Sequence, residues 1–577
     1  MGAPATRVAR HVVHTNHIAA PWALETVLEA AEQALLARQL DAAVEFLETA
    51  LRSTVDDTRR MAIQARLAHA EWLINPATAA RHLTTLVDAL RAGMLDRSDG
   101  LVLIRQLLWH GRVEDATDLL TRLRGAVQAR PDEPGASELH DLELWLAGSH
   151  PTLAQRRMIV TTPQNRQDVF TTLGSDPWLR SSALLADLLA RGNDTDAIVR
   201  AEDVLRDRHL GRETPWAEES VLLALLVLVY AGRCAAAGEW CDGLLADTPA
   251  RGATTPSALA VAVRAEIALR QGDLVGAAGH ARDALAQLPE RSWGTVVGLP
   301  LSTLILATTR MGDYDEAAKI LTHSVPDAMF SSRYGLHYLH ARGHYHLATN
   351  HCHAALADFR SCGELMRGWG LDVAGLVPWR TSAAEAWLRL GNQDQARLLI
   401  FDQLGRPGLD GTRGSALRLL ASISAPSRRL ELLGEALDLF ESSGDRFEQG
   451  RVLADLSRAY NALNQKRRAR LLFRRALHVA NMCGAKPLSQ QLLAVSGDVG
   501  ETVVPTGKSS GLDALTNSER RVASLAVMGY TNREIAAKLF ITASTVEQHL
   551  TRVYRKLDVK RRKDLPTDLW AELTRTG

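Results

Sequence analysis

A stripe of polar side chains near the end of the chain has the composition needed to contact a nucleic-acid duplex. The segment from Thr542 to Leu557 places hydroxyl, amide, carboxylate and guanidinium groups at the three- and four-residue spacings of one helical face. Such groups bond to base edges and phosphates, and a helix fits the major groove of B-DNA, about 12 Å wide. The stripe consists of Ser544, Glu547, Gln548, Thr551 and Arg555, with Arg552 and Lys556 alongside.

The same segment carries an apolar stripe, which must hold the helix so that the polar residues face outward. Its members recur at i, i+4, i+7 and i+11, the spacing of a core-facing helix. Three apolar residues of the preceding segment are expected to pack against it. The predicted core consists of Ile535, Leu539, Ile541, Val546, Leu550, Val553 and Leu557.

The sequence predicts three helix N-termini in this region, two before the polar and apolar stripes and one at their start. Thr516 with Glu519, and Thr531 with Glu534, have the spacing of a capping box. Thr542 is a suitable N-cap for the last helix. This pattern predicts a helix-turn-helix, whose second element enters a major groove. The alternative is a small helical bundle with a solvated polar face.

These residues resemble the LuxR-type DNA-binding domain over roughly the last 65 residues. The resemblance implies dimers that bind promoter DNA at two half-sites about one helical turn apart. It rests on Leu515, Thr516, Glu519, Gly529, Asn532, Glu534, Ile535, Ala536, Leu539, Thr545, Val546, His549, Lys556, Leu557, Val559 and Arg562.

Helical phase and the family pattern together assign roles within the polar stripe. Glu547, Gln548 and Thr551 are the predicted base contacts, since Glu accepts from cytosine N4 and Gln pairs with adenine N6 and N7. Most family members have a Lys where Glu547 stands, so a different preferred site is expected. The predicted phosphate contacts are Ser544, Thr545, Arg552, Arg555 and Lys556.

The segment "TVEQHLTRVYRKL" resembles a branch of the family, the large ATP-binding LuxR-family (LAL) regulators of actinomycetes. That branch carries an N-terminal ATPase, whereas this chain has no Walker A sequence. We therefore expect no nucleotide cofactor, and interpret the chain as a short member of the branch or a fragment of one. Pro566 also departs from the pattern, at the start of the helix that family members use to dimerise.

The rest of the chain is predicted to be all-α and built of helical hairpins. An Ala-x3-large-x2-small pattern recurs at intervals of 36 to 40 residues along much of the chain, often after a Gly-Asp or Gly-Asn turn. This pattern is typical of tetratricopeptide (TPR) repeats, although an irregular helical array is an alternative. We predict a TPR-like domain over residues 1–495, a flexible linker over 496–512 and the helix-turn-helix domain over 513–577.

Composition narrows the function classes. The net charge is +1, yet the chain from Leu515 onward has twelve Lys and Arg against seven Asp and Glu, so the tail is the basic module. Five scattered cysteines without a Cys-x-x-Cys pair fit a reducing cytoplasm. The longest apolar run is too short to cross a membrane. No nucleophile-base pair, metal-ligand cluster or phosphate loop has convincing spacing, so we expect neither an enzyme nor a bound metal.

A histidine-rich segment lies in the predicted repeats. His337, His340 and His344 share the face that TPR repeats turn toward their groove. A metal site, a groove for an anionic or aromatic ligand, and a solvated face are the alternatives for this segment.

The sequence thus predicts a cytoplasmic transcriptional regulator without membrane contact. The resemblance implies an activator of a biosynthetic gene cluster, with RNA polymerase and a small-molecule or protein effector as partners. The alternative is a TPR-like interaction scaffold whose DNA-binding domain is residual.

Overall fold

The computed structural model of the chain describes residues 5–14, 21–129, 136–154, 177–192, 195–206, 217–247, 253–406, 408–496, 515–527, 530–559, 561–562 and 565. Within these ranges the regular secondary structure is helical and contains no strand. The chain divides into two compact units. The first unit comprises Met1–Thr309 with Asp313–Ala416, and the second comprises Arg310–Gly312 with Leu417–Gly577. The predicted linker lies outside the described residues except for Ser496.

Besides short 3-10 turns, the described ranges contain a succession of α-helices, many of which pair with a neighbour as a hairpin. The first fifteen are α1 (Ala5–His14), α2 (Pro21–Leu36), α3 (Leu40–Ser53), α4 (Asp57–Ile74), α5 (Pro76–Ala79), α6 (Leu83–Arg91), α7 (Arg97–Trp109), α8 (Val113–Ala129), α9 (Ala136–Ser149), α10 (Pro177–Arg191), α11 (Thr195–Arg206), α12 (Ala217–Tyr230), α13 (Cys234–Asp247), α14 (Thr254–Arg270) and α15 (Leu274–Gln287). The rest are α16 (Gly298–Met311), α17 (Tyr314–Leu321), α18 (Arg333–Ala348), α19 (Cys352–Trp369), α20 (Trp379–Arg389), α21 (Gln393–Leu404), α22 (Asp410–Ser422), α23 (Pro426–Ser443), α24 (Arg446–Ala462), α25 (Lys466–Met482), α26 (Lys486–Ser496), α27 (Asn517–Val527), α28 (Asn532–Leu539) and α29 (Ala543–Lys556).

Small residues allow consecutive helices to approach closely, as the repeat pattern predicts. Ala277, Ala281 and Ala284 of α15 have no exposed surface, and α15 packs on α14. The same arrangement joins α2 to α3, α18 to α19, α20 to α21, and α24 to α25. The TPR-like, all-α prediction is therefore confirmed. In α25 the pattern starts at Ala469 and so places Phe473 at its large position; in the structure Leu472 is buried and Phe473 is half-buried.

The turns inside the hairpins use residues in the left-handed region. Gly272 ends α14 with φ 74°, a conformation that glycine adopts without a side-chain clash. The following residue, Asp273, begins α15 by accepting a hydrogen bond from the Gly276 backbone N–H at 2.9 Å. The Gly-Asp dipeptide is thus a helix stop followed at once by a helix start.

All five cysteines are buried and none forms a disulfide. This agrees with the absence of a disulfide framework in the sequence. Within the described part of the chain, no helix combines the length and apolarity needed to cross a membrane.

The contact between α18 and α19 gives the first prediction. A Cβ added at Gly343 would lie 2.5 Å from a ring carbon of Phe359, which is fully buried. Gly343→Ala is therefore expected to destabilise the chain by about 1–3 kcal/mol through overpacking. Thermal unfolding followed by circular dichroism measures the change as a lower midpoint.

Gly279→Ala is the matched control, because an added Cβ there meets no atom within 4 Å. Alanine is favoured over glycine inside a helix by about 0.5–1 kcal/mol, so this variant should melt at the same temperature or higher. Equal midpoints for the two variants would contradict the close packing of α18 on α19.

Candidate nucleic-acid interface

The three helices α27, α28 and α29 form a small unit with its own core. Val522, Ala523 and Ala526 of α27 pack with Ile535 and Ala536 of α28 and with the inner face of α29. Each helix presents one apolar side to the other two, because its apolar residues recur at helical spacing. This arrangement fixes the orientation of α29.

The starts of all three helices have the hydrogen bonds expected from the sequence. The Thr516 backbone N–H donates to the Glu519 carboxylate at 2.9 Å, and the Glu519 N–H donates to the Thr516 hydroxyl at 3.3 Å. Thr531 and Glu534 repeat this exchange at 2.7 and 3.3 Å. The Thr542 hydroxyl accepts from the N–H of Thr545 at 3.2 Å. Each cap satisfies backbone groups that a helix end would leave unbonded.

The turn between α28 and α29 is tight. Phe540 adopts φ 53° and is 97% exposed, and the Ile541 N–H donates to the Ala536 carbonyl at 3.0 Å. This left-handed residue ends α28 and changes the direction of the chain, so that Thr542 can begin the next helix.

The structure places the seven predicted core residues on the inward side of this unit. Ile535, Val546 and Val553 have no exposed surface, and Leu550 is 4% exposed. The other three, which are half-buried, pack around them: Leu539, Ile541 and Leu557.

The three predicted base contacts are exposed on the opposite side of α29. Glu547, Gln548 and Thr551 all face solvent. The Asn532 amide donates to the Glu547 carboxylate at 3.3 Å, and the Thr551 hydroxyl donates to the Glu547 carbonyl at 2.9 Å. Gln548 has no hydrogen-bond partner in the described part of the chain. Internal hydrogen bonds therefore restrain the Glu547 and Thr551 side chains. The Gln548 side chain can change its conformation to fit a duplex that approaches this face.

The predicted phosphate contacts fall into two groups. Ser544, Arg552 and Arg555 are exposed. Thr545 instead shares a hydrogen bond with the Thr542 hydroxyl at 2.8 Å, and Lys556 donates to the Glu519 carboxylate at 2.6 Å. The second group therefore has internal partners that any phosphate would have to share.

The Lys556–Glu519 pair joins the end of α29 to the start of α27. Glu519 is buried, with 3% of its surface exposed. The hydrogen bond from Lys556, together with the backbone hydrogen bond from Thr516, lowers the pKa of the Glu519 carboxyl to about 2. The capping carboxylate thus also fixes the position of α29.

A second set of hydrogen bonds, made by Arg562, was not predicted from the sequence. Arg562 donates to the Asn532 side-chain carbonyl at 3.0 Å, to the Ala526 carbonyl at 3.3 Å and to the Tyr530 carbonyl. Asn532 in turn bonds to Glu547. Both Asn532 and Arg562 belong to the pattern that carries the LuxR resemblance, which is the signal that pointed to them. Gly529 and Pro566 lie outside the described residues.

The histidines predicted to share a groove face are separated into two environments. The His340 ring is 3.0 Å from the Ser382 hydroxyl and 3.1 Å from His344 Nε2. His337 instead bonds to the Tyr230 hydroxyl at 3.0 Å, and burial lowers its pKa to about 4. In the described ranges, no group of three or more His, Cys, Asp or Glu residues is arranged to hold a metal ion. The ligand groove stays a prediction.

Comparison with known proteins places the interface in a described family. Residues 513–567 match the family of bacterial regulatory proteins called the luxR family. Spore germination protein GerE of Bacillus subtilis is 42% identical over 55 residues, which are 10% of this chain and 74% of GerE. Oxygen regulatory protein NreC of Staphylococcus carnosus is 41% identical over 51 residues, which are 9% of this chain and 24% of NreC.

The similarity to a longer relative is also restricted to a short part of the chain. An HTH-type transcriptional regulator of Mycobacterium tuberculosis is 44% identical over 55 residues, 10% of this chain and only 6% of that relative. Among solved structures, a Rap protein crystallised with competence and sporulation factor has a TM-score of 0.37 and 13% identity. That alignment covers 68% of this chain and 98% of the Rap chain.

The buried Glu519 carboxylate gives a pH prediction. Because its pKa is lowered to about 2, the folded state binds this proton less readily than the unfolded state, where the pKa is about 4.3. The contribution is complete above about pH 4.3 and is lost as the pH falls toward 2. Hydrogen exchange of the amides of α27 in the full chain, corrected for intrinsic rates, should show decreasing protection across this range.

Glu519→Gln should lack this acid-dependent loss and should be less protected at pH 7, because Lys556 loses its charged partner. Glu534→Gln changes the equivalent residue of the second capping box and should retain the wild-type pH dependence in α27. An identical pH dependence in wild type and Glu519→Gln would contradict the pairing.

Proposed function

We start from the premise that the chain belongs to the LuxR family of bacterial regulatory proteins, and we propose the following function for it. The chain is a transcriptional regulator that binds promoter DNA through α29. The observation that supports this most directly is the exposure of Glu547, Gln548 and Thr551 on a helix whose other side is buried. A helix with this division presents hydrogen-bonding groups to a major groove without losing its own packing.

Within this proposal, the three residues have distinct tasks. Gln548 offers an amide that can pair with adenine N6 and N7, and the Glu547 carboxylate can accept from cytosine N4. The hydrogen bond from Asn532 limits the positions that the Glu547 carboxylate samples. Thr551, which is bonded to the helix backbone, can contact either base or phosphate.

The phosphate backbone is contacted by the flanking residues. Arg552 and Arg555 are exposed and, being always charged, release counterions when they bind phosphate. Ser544 and Thr545 lie at the N-terminus of α29, where the helix dipole favours an anion. Lys556 is assigned to phosphate as well, with Glu519 as its partner before DNA binds.

The wider assignment follows from the family and from the resemblance to the LAL branch. We propose a homodimer working in the cytoplasm, where bacterial DNA lies, and activating a biosynthetic gene cluster through RNA polymerase. The TPR-like helices supply the surface that receives a small-molecule or protein effector. If the full chain shows no preference for any duplex at moderate salt, an interaction scaffold becomes the better description.

The first test concerns sequence discrimination by Gln548. The preferred duplex is obtained by selecting random duplexes on the full chain, and affinities are measured by fluorescence anisotropy. Gln548→Ala should weaken binding to the selected duplex by about 1–3 kcal/mol and relax the preference at one base pair. Binding to a scrambled duplex should hardly change.

Gln490→Ala, at an exposed position of α26, is the control for the loss of an amide and should bind both duplexes as the wild type does. If Gln548→Ala weakens the selected and scrambled duplexes equally, Gln548 does not contact a base.

The second test concerns the phosphate contact at Arg555. Arg555→Ala should weaken selected and scrambled duplexes alike, and should reduce the slope of log K against log salt by about 1. Arg428→Ala removes the same charge from an exposed position of α23 and should leave the slope unchanged. A selective loss on the chosen duplex alone would instead make Arg555 a base contact.

A further inference from the structure

A cavity inside the first unit is lined by aromatic and buried polar side chains. Its volume is about 70 Å³, several times the roughly 10–15 Å³ that a single water requires. Trp72 of α4, Gln106 and Trp109 of α7, Trp145 of α9 and His150 just after α9 contribute to its wall. None of the residues of the histidine-rich segment lines it. The cavity has space for a small organic molecule or for several waters.

Indole rings form much of the wall. Trp72 and Trp109 meet edge to face with ring centroids 5.1 Å apart, and the Trp145 and His150 rings are 5.6 Å apart. Such surfaces favour flat, conjugated molecules, because aromatic contacts gain energy beyond the area that they bury. The wall therefore selects the shape of an occupant.

The charges at the cavity are already compensated. Arg105 forms an ion pair with Glu219 and lies over the Trp145 ring at 4.9 Å. The same carboxylate accepts from Trp145 Nε1 at 2.8 Å. Burial, and secondarily the charge of Arg333, lowers the pKa of His150 to about 3, so its ring is neutral at physiological pH. An uncharged occupant suits this wall better than an anion, because Arg105 is already paired with Glu219 and the neutral His150 ring carries no charge to attract one.

Several polar atoms of the wall have no partner among the described residues. They include Trp72 Nε1, Gln106 Nε2 and both ring nitrogens of His150. Gln106 and His150 are each only 4% exposed. By contrast, Trp109 Nε1 donates to the Ser292 carbonyl at 2.8 Å. Leaving a buried donor unbonded costs about 1–3 kcal/mol, and native structures contain few such groups.

We propose that this cavity binds a small, flat, uncharged conjugated molecule whose acceptor oxygen takes hydrogen bonds from Trp72 Nε1 and Gln106 Nε2. The indole wall sets the shape of the ligand, and the two donors set its polarity. A second part of the proposal rests on the proposed function. In it, this molecule is the effector, and its binding changes the affinity of the chain for DNA.

Three nine-carbon probes test the chemistry on the full chain. Coumarin is flat, neutral and has acceptor oxygens, trans-cinnamate adds a negative charge, and indene has no acceptor. Equilibrium dialysis should show saturable binding of one coumarin per chain, with cinnamate and indene at least tenfold weaker. No saturable coumarin binding at millimolar concentration, or equal binding of all three probes, overturns the proposal and leaves a water-filled cavity.

Gln106→Leu separates binding from structure. It should weaken coumarin about tenfold and leave indene unchanged or tighter. Its melting temperature should not fall, because an unbonded buried donor is replaced by an apolar group of similar shape. A lower melting temperature with unchanged coumarin affinity would assign Gln106 a purely structural role and overturn the site.

Trp72→Phe is a second variant that keeps an aromatic ring but removes the indole N–H, and it should also weaken coumarin several-fold. Trp22→Phe, at a position 63% exposed, is its control and should bind coumarin as the wild type does. Unchanged coumarin affinity in Trp72→Phe counts against the proposed hydrogen bond.

The effector role is measured separately by DNA anisotropy with and without saturating coumarin. A change in affinity that Gln106→Leu abolishes supports the role. Coumarin binding without any change in DNA affinity overturns the effector role and leaves the site standing. Failure to bind any duplex preferentially, with or without coumarin, overturns the proposed function and not the cavity.

Discussion

The burial of Val546, Leu550 and Val553 fixes the rotation of α29 about its own axis. Burying an aliphatic side chain completely stabilises the fold by about 1.5–3 kcal/mol relative to leaving it exposed. Rotating α29 so that all three become exposed would therefore cost several times this free energy. It would also bury Glu547 and Gln548, whose polar groups would need new partners. The positions of Ser544, Arg552 and Arg555 follow from this one constraint, since all three lie on the same rigid helix.

Features set by neighbouring residues could be predicted from the sequence. The capping pairs Thr516–Glu519 and Thr531–Glu534 are three residues apart, and they form the predicted hydrogen bonds. The helical hairpins likewise follow from local spacing of small residues. Where two neighbouring positions compete, as at Leu472 and Phe473, the choice depends on the shape of the opposing helix, which a single sequence does not contain.

Features set by distant residues could not be predicted. Lys556 is assigned to phosphate from helical phase and the family pattern, yet it bonds to Glu519, 37 residues away. The cavity shows the same limitation more strongly, because Trp72, Gln106 and His150 come from three separate parts of the chain. No periodicity relates such residues. The histidine-rich segment stood out by composition, but its members are divided between Tyr230 and Ser382.

Gln548 is exposed and lacks a hydrogen-bond partner within the described residues. The packing of α29 depends instead on Val546, Leu550 and Val553, which are buried. Substitutions at this position are therefore expected to be nearly neutral for folding, and under the proposed function their main effect would be on the choice of DNA site. Position 547 should tolerate fewer substitutions, because Asn532 connects the Glu547 side chain to Arg562. Under the proposed base contact, divergence among descendants of this chain should thus accumulate first at Gln548, and a new operator preference would need no compensating change in the scaffold.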